Sequence, residues 1–466
     1  MERGARRSGC LAIGILCLLG SPPGSSSGLL GGARAAGPAA APSPTAPPEL
    51  PAPDLVLTLE QALEQFRAQG FDLLLADAAV ESARGDEQAA GAVPNPLITA
   101  SVLKVVGLPE GLTTPDPGPQ GVGVSALLTD GAMSEIVSGK RWLRKRSAQA
   151  ALAAARHQRA DAQRLLELQL RQQYLEVAQL QLSYEFGREV VQSAAQTAEL
   201  NRLRLKAGAI SEAELAKAET AMLEAEQRLD EVAQRLRLAQ LDLLVLVGVR
   251  GPAPQLRVDS SLMEQPVPRQ QLALGRDELQ RLALANRPDL LAADQETRRA
   301  DFTLRLMRRL NVPDFQLQVG YTQQGSGPAA VQPPTLSFGL GLSLPVFYQR
   351  QGERTRAAAE LRTQQLLLSR LQTRVLAEVD AAYTTWLTSQ RLLLRMEGQQ
   401  LERARRARDL AQIQYQKGAA SLLEYLDAQR TYINTRFSYL QQRMGYWVAV
   451  FQLEQAVATE LFSGKK

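Results

Sequence analysis

Few side chains in this chain of 466 residues could carry chemistry. His157 is the only histidine, and it lies in a charged helical stretch with no second ligand or nucleophile at a useful spacing. Gly121 and Gly123 lie within a predicted strand rather than before a helix, so they do not form a phosphate-binding loop. Glu424 and Asp427 are three residues apart, which places two carboxylates on one helix face. The sequence therefore predicts no enzyme, no cofactor and no metal site.

The composition favours long, solvated helices over a compact catalytic domain. Aromatic residues make up 5% and charged residues 22% of the chain, and Ala, Leu, Gln and Arg fill long stretches. The formal net charge of +5 is too small to argue for a nucleic-acid partner. A chain of this length also exceeds a single conventional core, which predicts duplication or elongation.

The N-terminal region has the pattern of a secretory signal. Basic residues precede an apolar run that ends before Pro22, and this run is too short for a membrane-spanning helix. We predict a signal peptide at residues 1–35 and a Pro/Ala-rich linker at residues 36–53. The two cysteines, Cys10 and Cys17, both lie in the signal, so a disulfide framework is excluded after cleavage, and neither lies in a good lipidation motif.

The rest of the chain contains an internal duplication. A segment beginning at Phe71 recurs at an offset of 217 residues, and a later segment recurs at an offset of 210. Identical pairs at the first offset include Asp72/Asp289, Leu73/Leu290, Ala76/Ala293, Asp77/Asp294, Ala83/Ala300, Pro96/Pro313 and Val102/Val319; those at the second are Gly208/Gly418, Ser211/Ser421, Glu214/Glu424 and Ala218/Ala428. We predict a first repeat at residues 54–250, an inter-repeat linker at 251–276 and a second repeat at 277–462.

Each repeat combines helices with two strands. An amphipathic stretch comes first, at Leu59 to Ala92 and at Asp277 to Leu310, and ends before a proline. Apolar residues then alternate with polar or small ones, which predicts two strands per repeat with one apolar face. In the second repeat the apolar positions are Phe315, Leu317, Val319, Tyr321, Leu336, Phe338, Leu340, Leu342 and Leu344.

A long helix and a returning helix complete each repeat. The long helices are predicted at Lys140 to Ala207 and at Glu353 to Lys417, and neither contains a proline. Glycine follows each one, at Gly208 and Gly418, and permits the left-handed turn of a helical hairpin. The first and the returning helix together nearly equal one long helix in length. We therefore predict that these two shorter helices stack end to end beside the long one.

Four strands with an apolar face indicate a wall of a transmembrane barrel, which four strands cannot close. An open edge in lipid would leave backbone groups without partners, so the pattern predicts an oligomer. The alternative is that the four strands form one sheet of a soluble β-sandwich, but the sequence predicts no second sheet to cover their apolar face.

The repeated plan resembles the outer-membrane efflux proteins typified by the TolC channel, over about Leu55 to Leu461. The resemblance rests on LTLEQAL at Leu57, PNP at Pro94, NRPDLLAA at Asn286 and YQKGAASLLEYLDAQ at Tyr415. LSLPVFYQRQGERTRA at Leu342 is most similar to the heavy-metal branch of the family, CzcC/CusC-like.

This resemblance implies a mainly α protein with a transmembrane β-barrel contribution: a homotrimer with a twelve-stranded barrel and an α-helical periplasmic tunnel. It implies an outer-membrane exit duct of a tripartite efflux system, in contact with outer-membrane lipid, a periplasmic adaptor (membrane fusion) protein and an inner-membrane pump, with the RND type as the candidate class. Heavy-metal cations are the candidate cargo. The alternatives are a channel for drugs or proteins, or a periplasmic coiled-coil scaffold without a pore.

The resemblance also implies functional residues at the end of the long helices. Tyr415, Glu424, Asp427 and Glu214 match positions of the family's periplasmic gate, where stacked acidic rings in a trimer would attract cations. A gating arginine of the family is replaced by Ala420. The hairpin tips, which the resemblance assigns to adaptor contact, comprise Gly208, Ala209, Ile210, Ser211, Gly418, Ala419, Ala420 and Ser421.

Overall fold

A computed structural model describes residues 53–103, 123–266, 274–324 and 332–461. The predicted signal peptide, both cysteines and almost all of the predicted linker lie outside these ranges. The first repeat consists of β1 (Leu55–Leu57), α1 (Leu59–Gln69), α2 (Phe71–Gly91), β2 (Leu97–Leu103), β3 (Gly123–Asp130), α3 (Ala132–Val137), α4 (Lys140–Lys206) and α5 (Glu212–Val247). After β4 (Leu256–Val258) and α6 (Ser261–Glu264), the second repeat consists of α7 (Arg276–Asn286), α8 (Pro288–Arg309), β5 (Asp314–Gln324), β6 (Gln332–Ser343), α9 (Gln351–Arg395), the π-helical segment Met396–Gln400, α10 (Leu401–Gln416) and α11 (Leu422–Val457).

The first amphipathic stretch of each repeat is divided, so the prediction of one continuous helix was wrong at this point. Gly70 separates α1 from α2 with an extended backbone, φ −60° and ψ 121°. Arg287, at the equivalent position 217 residues later, separates α7 from α8 with φ −65° and ψ 123°. Pro288 disfavours a helical conformation for the residue before it, which accounts for the second break.

The four long strands form one antiparallel sheet in the order β2-β3-β5-β6. Its register places the apolar positions of all four strands on one face, since Ile98 pairs with Leu128, Leu128 with Val319 and Val319 with Phe338. The other face is mostly polar or small, apart from Leu97, Leu103 and Leu127, and on it the hydroxyl oxygens of Ser101 and Ser125 lie 2.7 Å apart. The predicted alternation is confirmed. In the second hairpin, β5 continues past the last predicted apolar position, Tyr321, to Gln324, and β6 begins at Gln332, before Leu336.

The helices form a wall four helices wide. Near the strands the order of neighbours is α2, α4, α8 and α9, and at the far end it is α5, α4, α11 and α10. α4 runs unbroken for 67 residues, about 100 Å at 1.5 Å per residue. Its counterpart is continuous through α9, the π-helical segment and α10, so the long helices are confirmed apart from the π turn.

Short helices meet end to end beside each long helix, as predicted. The C-terminal cap of α5 is Gly248, whose φ of 85° is left-handed. A Cβ atom at Gly248 would lie 2.4 Å from the carbonyl oxygen of Gln69, the last residue of α1. Glycine is required here by the close approach of two backbones as well as by the dihedral angle.

The predicted inter-repeat linker contains ordered structure that joins the two repeats. β4 pairs in parallel with β1, and the buried hydroxyl of Tyr174 on α4 donates to the carbonyl oxygens of Leu57, at 3.2 Å, and Asp259, at 2.8 Å. Among the helices that the structure describes, none combines the length and the hydropathy that a membrane span requires.

A buried arginine holds the break between α7 and α8. The side chain of Arg287 is 4% exposed, and its guanidinium group lies 2.6 Å from Asp289 and 2.7 Å from Glu378 of α9. It also donates to the carbonyl oxygen of Ala456 on α11, at 3.3 Å. Burial acts to raise the pKa of Asp289, but the hydrogen bond from Arg287, the charges of Arg287 and Arg164 and the hydrogen bond from the N–H of Leu290 together hold that pKa below its ordinary value.

We predict that Asp289→Asn destabilises the protein at neutral pH by about 2–3 kcal/mol, because it removes one partner of a buried charge. Because the pKa of Asp289 is lower in the folded than in the unfolded protein, its contribution to the free energy of unfolding is complete above about pH 4. This contribution is lost as the pH falls through the folded-state pKa. Thermal unfolding of both proteins across this range should show their midpoints converging in acid.

The control is Asp294→Asn on the same helix, since Asp294 forms a half-exposed pair with Arg298 at 3.0 Å. Exposed ion pairs of this kind contribute less than about 1 kcal/mol to the free energy of unfolding. Equal losses for both variants, or a difference that persists in acid, would contradict the role of Arg287.

Candidate functional site

The ends of the long helices farthest from the strands carry two helical hairpins of the same geometry. Gly208 and Gly418 have φ of 69° and 76°, and neither would clash with a Cβ atom, so the dihedral angle alone requires glycine. The N–H of Ala209 donates to the carbonyl oxygen of Arg204, and that of Ala419 to Gln414, at 2.9 and 2.8 Å. These bonds satisfy the last carbonyls of the long helices in a Schellman motif.

A capping box begins each returning helix. The hydroxyl of Ser211 accepts from the N–H of Glu214, and the Glu214 carboxylate accepts from the N–H of Ser211. Ser421 and Glu424 form the same pair, at 3.1 and 3.2 Å. Ser211 and Ser421 are thus the N-caps of α5 and α11. Both glutamates therefore have a structural role, because each carboxylate accepts from a backbone N–H that has no partner within the helix.

Tyr415 lies between the two repeats. It is 5% exposed, and its hydroxyl donates to Oδ1 of Asn201 on α4 at 2.5 Å. Its ring stacks on that of Tyr425 with centroids 5.4 Å apart. The guanidinium carbon of Arg204 lies 4.6 Å from the centroid of the Tyr415 ring, and Arg204 also donates to the carbonyl oxygens of Tyr415 and Gln416 at 3.3 and 3.2 Å. These contacts tie α4 to α10 just before the tips.

Asn201 and Arg204 were not predicted from the sequence, which indicated Glu214 as the gate residue of the first repeat. The structure does not bring Glu214 to Tyr415, since its carboxylate caps α5. The duplication contained a usable signal. At the offset of 210, Tyr415 and Tyr425 replace two leucines of the first repeat, Leu205 and Leu215, and such a polar substitution at paired positions indicates a specific partner.

Asp427 differs from Glu424 in its surroundings. It is exposed and lines a groove of about 250 Å³ between α4, α5 and α11, whereas Glu424 does not line it. Most of this tip groove is small or apolar, and its other charged members are Glu224, Arg228 and Arg430. Asp427 is therefore the member of the carboxylate pair that is available to a solute or a partner.

The residues at the tips are suited to contact and to electrostatic selection rather than to catalysis. Ala209 and Ala419 are exposed, and Ile210 and Ala420 are half-buried, so each tip presents small apolar side chains. No group of three His, Cys, Asp or Glu residues within the described ranges could hold a metal ion. His157 is half-buried on α4, far along the chain from both tips.

Comparison with known proteins agrees with this architecture. The profile of the family described as "Outer membrane efflux protein" matches residues 279–459. The pyoverdine export outer membrane protein OpmQ of Pseudomonas aeruginosa is 26% identical over 332 residues, which cover 68% of this chain and 66% of the relative. OpmQ of Pseudomonas putida is 30% identical over 277 residues, which cover 57% of this chain and 54% of that relative. The matched regions thus span less than two thirds of either relative.

A crystal structure of CusC, described in terms of transmembrane channel formation, superposes with a TM-score of 0.72. The superposition covers 86% of this chain and 91% of CusC at 18% sequence identity, a likeness that concerns the fold. The family consists of efflux channels rather than enzymes. The chain therefore has the TolC-like fold of these channels, and its second repeat matches the outer membrane efflux protein family.

Proposed function

We propose that three copies of the chain form the exit duct of a tripartite efflux system, which conducts solute passively across the outer membrane. The four-stranded sheet carries this proposal. One face is apolar and strongly exposed, with Phe338 at 77% and Ile98 at 71%, while the other is mostly polar or small. The apolar face would contact lipid, and the opposite face would line a water-filled lumen.

Closure of the sheet requires further copies. β2 and β6 are the edges of the sheet in the described part of the chain, and an unpaired edge in lipid would cost several kcal/mol for each backbone group. Three sheets joined edge to edge give twelve strands. The helical wall would then close in the same way, α2 and α5 of one copy meeting α9 and α10 of the next.

The tips and the tip groove provide a docking surface for a periplasmic adaptor, through which an inner-membrane pump would deliver the cargo. Small apolar side chains at Ala209 and Ala419 allow close approach of a partner helix, and the groove beside Asp427 and Arg430 adds charge. This assignment agrees with the family resemblance of the Gly-Ala turns.

Cargo selection would reside mainly in the pump, because a passive conduit needs no binding site of its own. The two sequence relatives are named for export of pyoverdine, whereas Asp427 and the segment around Leu342 favour heavy-metal cations. We propose a small solute as cargo, with cation passage assisted by Asp427.

The full-length protein should be found as a heat-resistant oligomer in outer-membrane fractions and should give stable single-channel conductance in planar bilayers. Both outcomes follow from closure of the sheet in lipid. A soluble periplasmic monomer without conductance would overturn the proposal in favour of a coiled-coil scaffold.

Tyr415 is proposed to hold the entrance narrow through its contact with Asn201. We expect Tyr415→Phe to shift the equilibrium toward wider states by about fivefold, since one buried hydrogen bond contributes about 1 kcal/mol. Single-channel recording would show this as a higher open probability or conductance. Tyr425→Phe is the matched control, because the Tyr425 hydroxyl makes no hydrogen bond within the described residues. Identical behaviour of the two variants would exclude a specific latch.

Asp427 is proposed to form a ring of three carboxylates that attracts cations. We expect Asp427→Asn to reduce cation preference, measured as a reversal potential closer to zero in a salt gradient, and to weaken block by divalent cations. Glu424→Gln should leave both unchanged, because glutamine retains the capping box. An unchanged reversal potential for Asp427→Asn, or an equal effect of both variants, would contradict this assignment.

A further inference from the structure

An exposed apolar and aromatic surface surrounds the junction between the strands and the helices. Met133, Ile136 and Val137 of the short helix α3 are 50%, 50% and 65% exposed, and Trp142 in the first turn of α4 is 53% exposed. We call these four residues the junction patch. Exposing this much apolar surface to water is unfavourable, which indicates that the junction patch is a contact site.

Arginines lie directly beside the junction patch. A groove of about 500 Å³ between the start of α4 and the end of α8 is lined by Trp142, Arg305, Arg308 and Arg309. Arg309 is held in place by donating to the carbonyl oxygen of Ser138 at 2.7 Å, which leaves its terminal N–H groups free to bind a ligand.

The other arginines are arranged around two rings that contact each other. Trp142 and Phe302 meet edge to face with centroids 6.3 Å apart. Arg146 lies over the Trp142 ring at 5.4 Å and Arg305 over the Phe302 ring at 5.6 Å. Asp301 pairs with Arg305 at 2.7 Å, and Arg308 forms no ion pair in the part of the chain that the structure describes. The groove therefore keeps a net positive charge, which comes from Arg308 and Arg309.

The position of the groove excludes a neighbouring copy as its occupant. α4 and α8 are the two central helices of the four-helix wall, and β3 and β5, which adjoin them in the chain, are the two central strands of the sheet. In the proposed trimer, contacts between copies involve the lateral edges, so this groove opens either to the lumen or to the outside. Exposed Met, Ile, Val and Trp side chains suit lipid and not a polar lumen.

We propose that the junction patch and the adjacent arginines bind an anionic phospholipid at the periplasmic surface of the outer membrane. Arg305, Arg308 and Arg309 would hold the phosphodiester by charge-assisted hydrogen bonds, and Trp142 would lie at the level of the headgroups, with α3 against the acyl chains. This site goes beyond the proposed duct, but it rests on the proposed outer-membrane location and edge-to-edge assembly and requires that this side of the wall face outward.

The headgroup contact can be tested on the full-length protein in neutral detergent. Phosphatidylglycerol should raise the thermal midpoint and be retained in native mass spectra, whereas phosphatidylcholine and inorganic phosphate should have little effect. R305Q/R308Q should weaken phosphatidylglycerol binding by about tenfold or more, since each basic residue near a lipid surface contributes about 1 kcal/mol. The control R403Q/R406Q on α10 removes the same charge far from the junction patch and should bind normally.

Equal binding by both double variants, or equal effects of phosphatidylglycerol and phosphatidylcholine, would overturn the proposal. A midpoint shift produced by inorganic phosphate alone would identify a free-anion site and overturn it as well.

Trp142 allows a second test that is independent of the headgroup. The chain contains three tryptophans, of which Trp386 and Trp447 are 1% and 9% exposed. In vesicles of brominated phosphatidylglycerol, quenching of tryptophan fluorescence should come mainly from Trp142 and be lost in Trp142→Phe. Unquenched Trp142 would place the groove on the lumen side and refute lipid contact, even if the protein conducts normally.

Discussion

The end-to-end contact of two short helices beside each long one is the constraint on which the rest of the wall depends. A helix of 67 residues would expose most of its apolar surface if only one returning helix of 36 residues covered it. α2 and α5 together cover α4, and their ends approach so closely at Gly248 that only a glycine fits. In the second repeat, Arg287 connects α8, α9 and α11 at the corresponding level. The same junctions thus align the sheet at one end with the hairpins at the other.

The periodic elements could be predicted from the sequence because their signals are local. Alternation along β5 and β6 gave the apolar face, and the absence of proline predicted both long helices. The breaks at Gly70 and Arg287 were missed, although Pro288 disfavours a helical residue before it. The π-helical segment was also missed. It is anchored from outside the helix, since Glu397 accepts from the Tyr439 hydroxyl of α11 at 3.0 Å.

At the tips, the prediction succeeded for backbone geometry and was incomplete for side-chain partners. Left-handed glycines and serine caps follow from short-range patterns, and the S-x-x-E spacing that occupies Glu214 and Glu424 was equally visible. The contact of Tyr415 with Asn201 joins residues 214 positions apart, so only the folded chain brings them together. Comparing the two repeats position by position identifies such places, because a polar residue that replaces an apolar one at a buried site requires a partner.

The π-helical segment has a mechanical consequence. A π turn widens the helix and weakens its hydrogen bonding, so bending is easier there than along the unbroken α4. Met396–Gln400 lies immediately above α10, the 16-residue helix that carries Tyr415. A lateral force on the second hairpin would therefore bend its long helix near Glu397. The same force on the first hairpin would meet α4, which has no such weak point. The two long helices of the wall thus differ in stiffness.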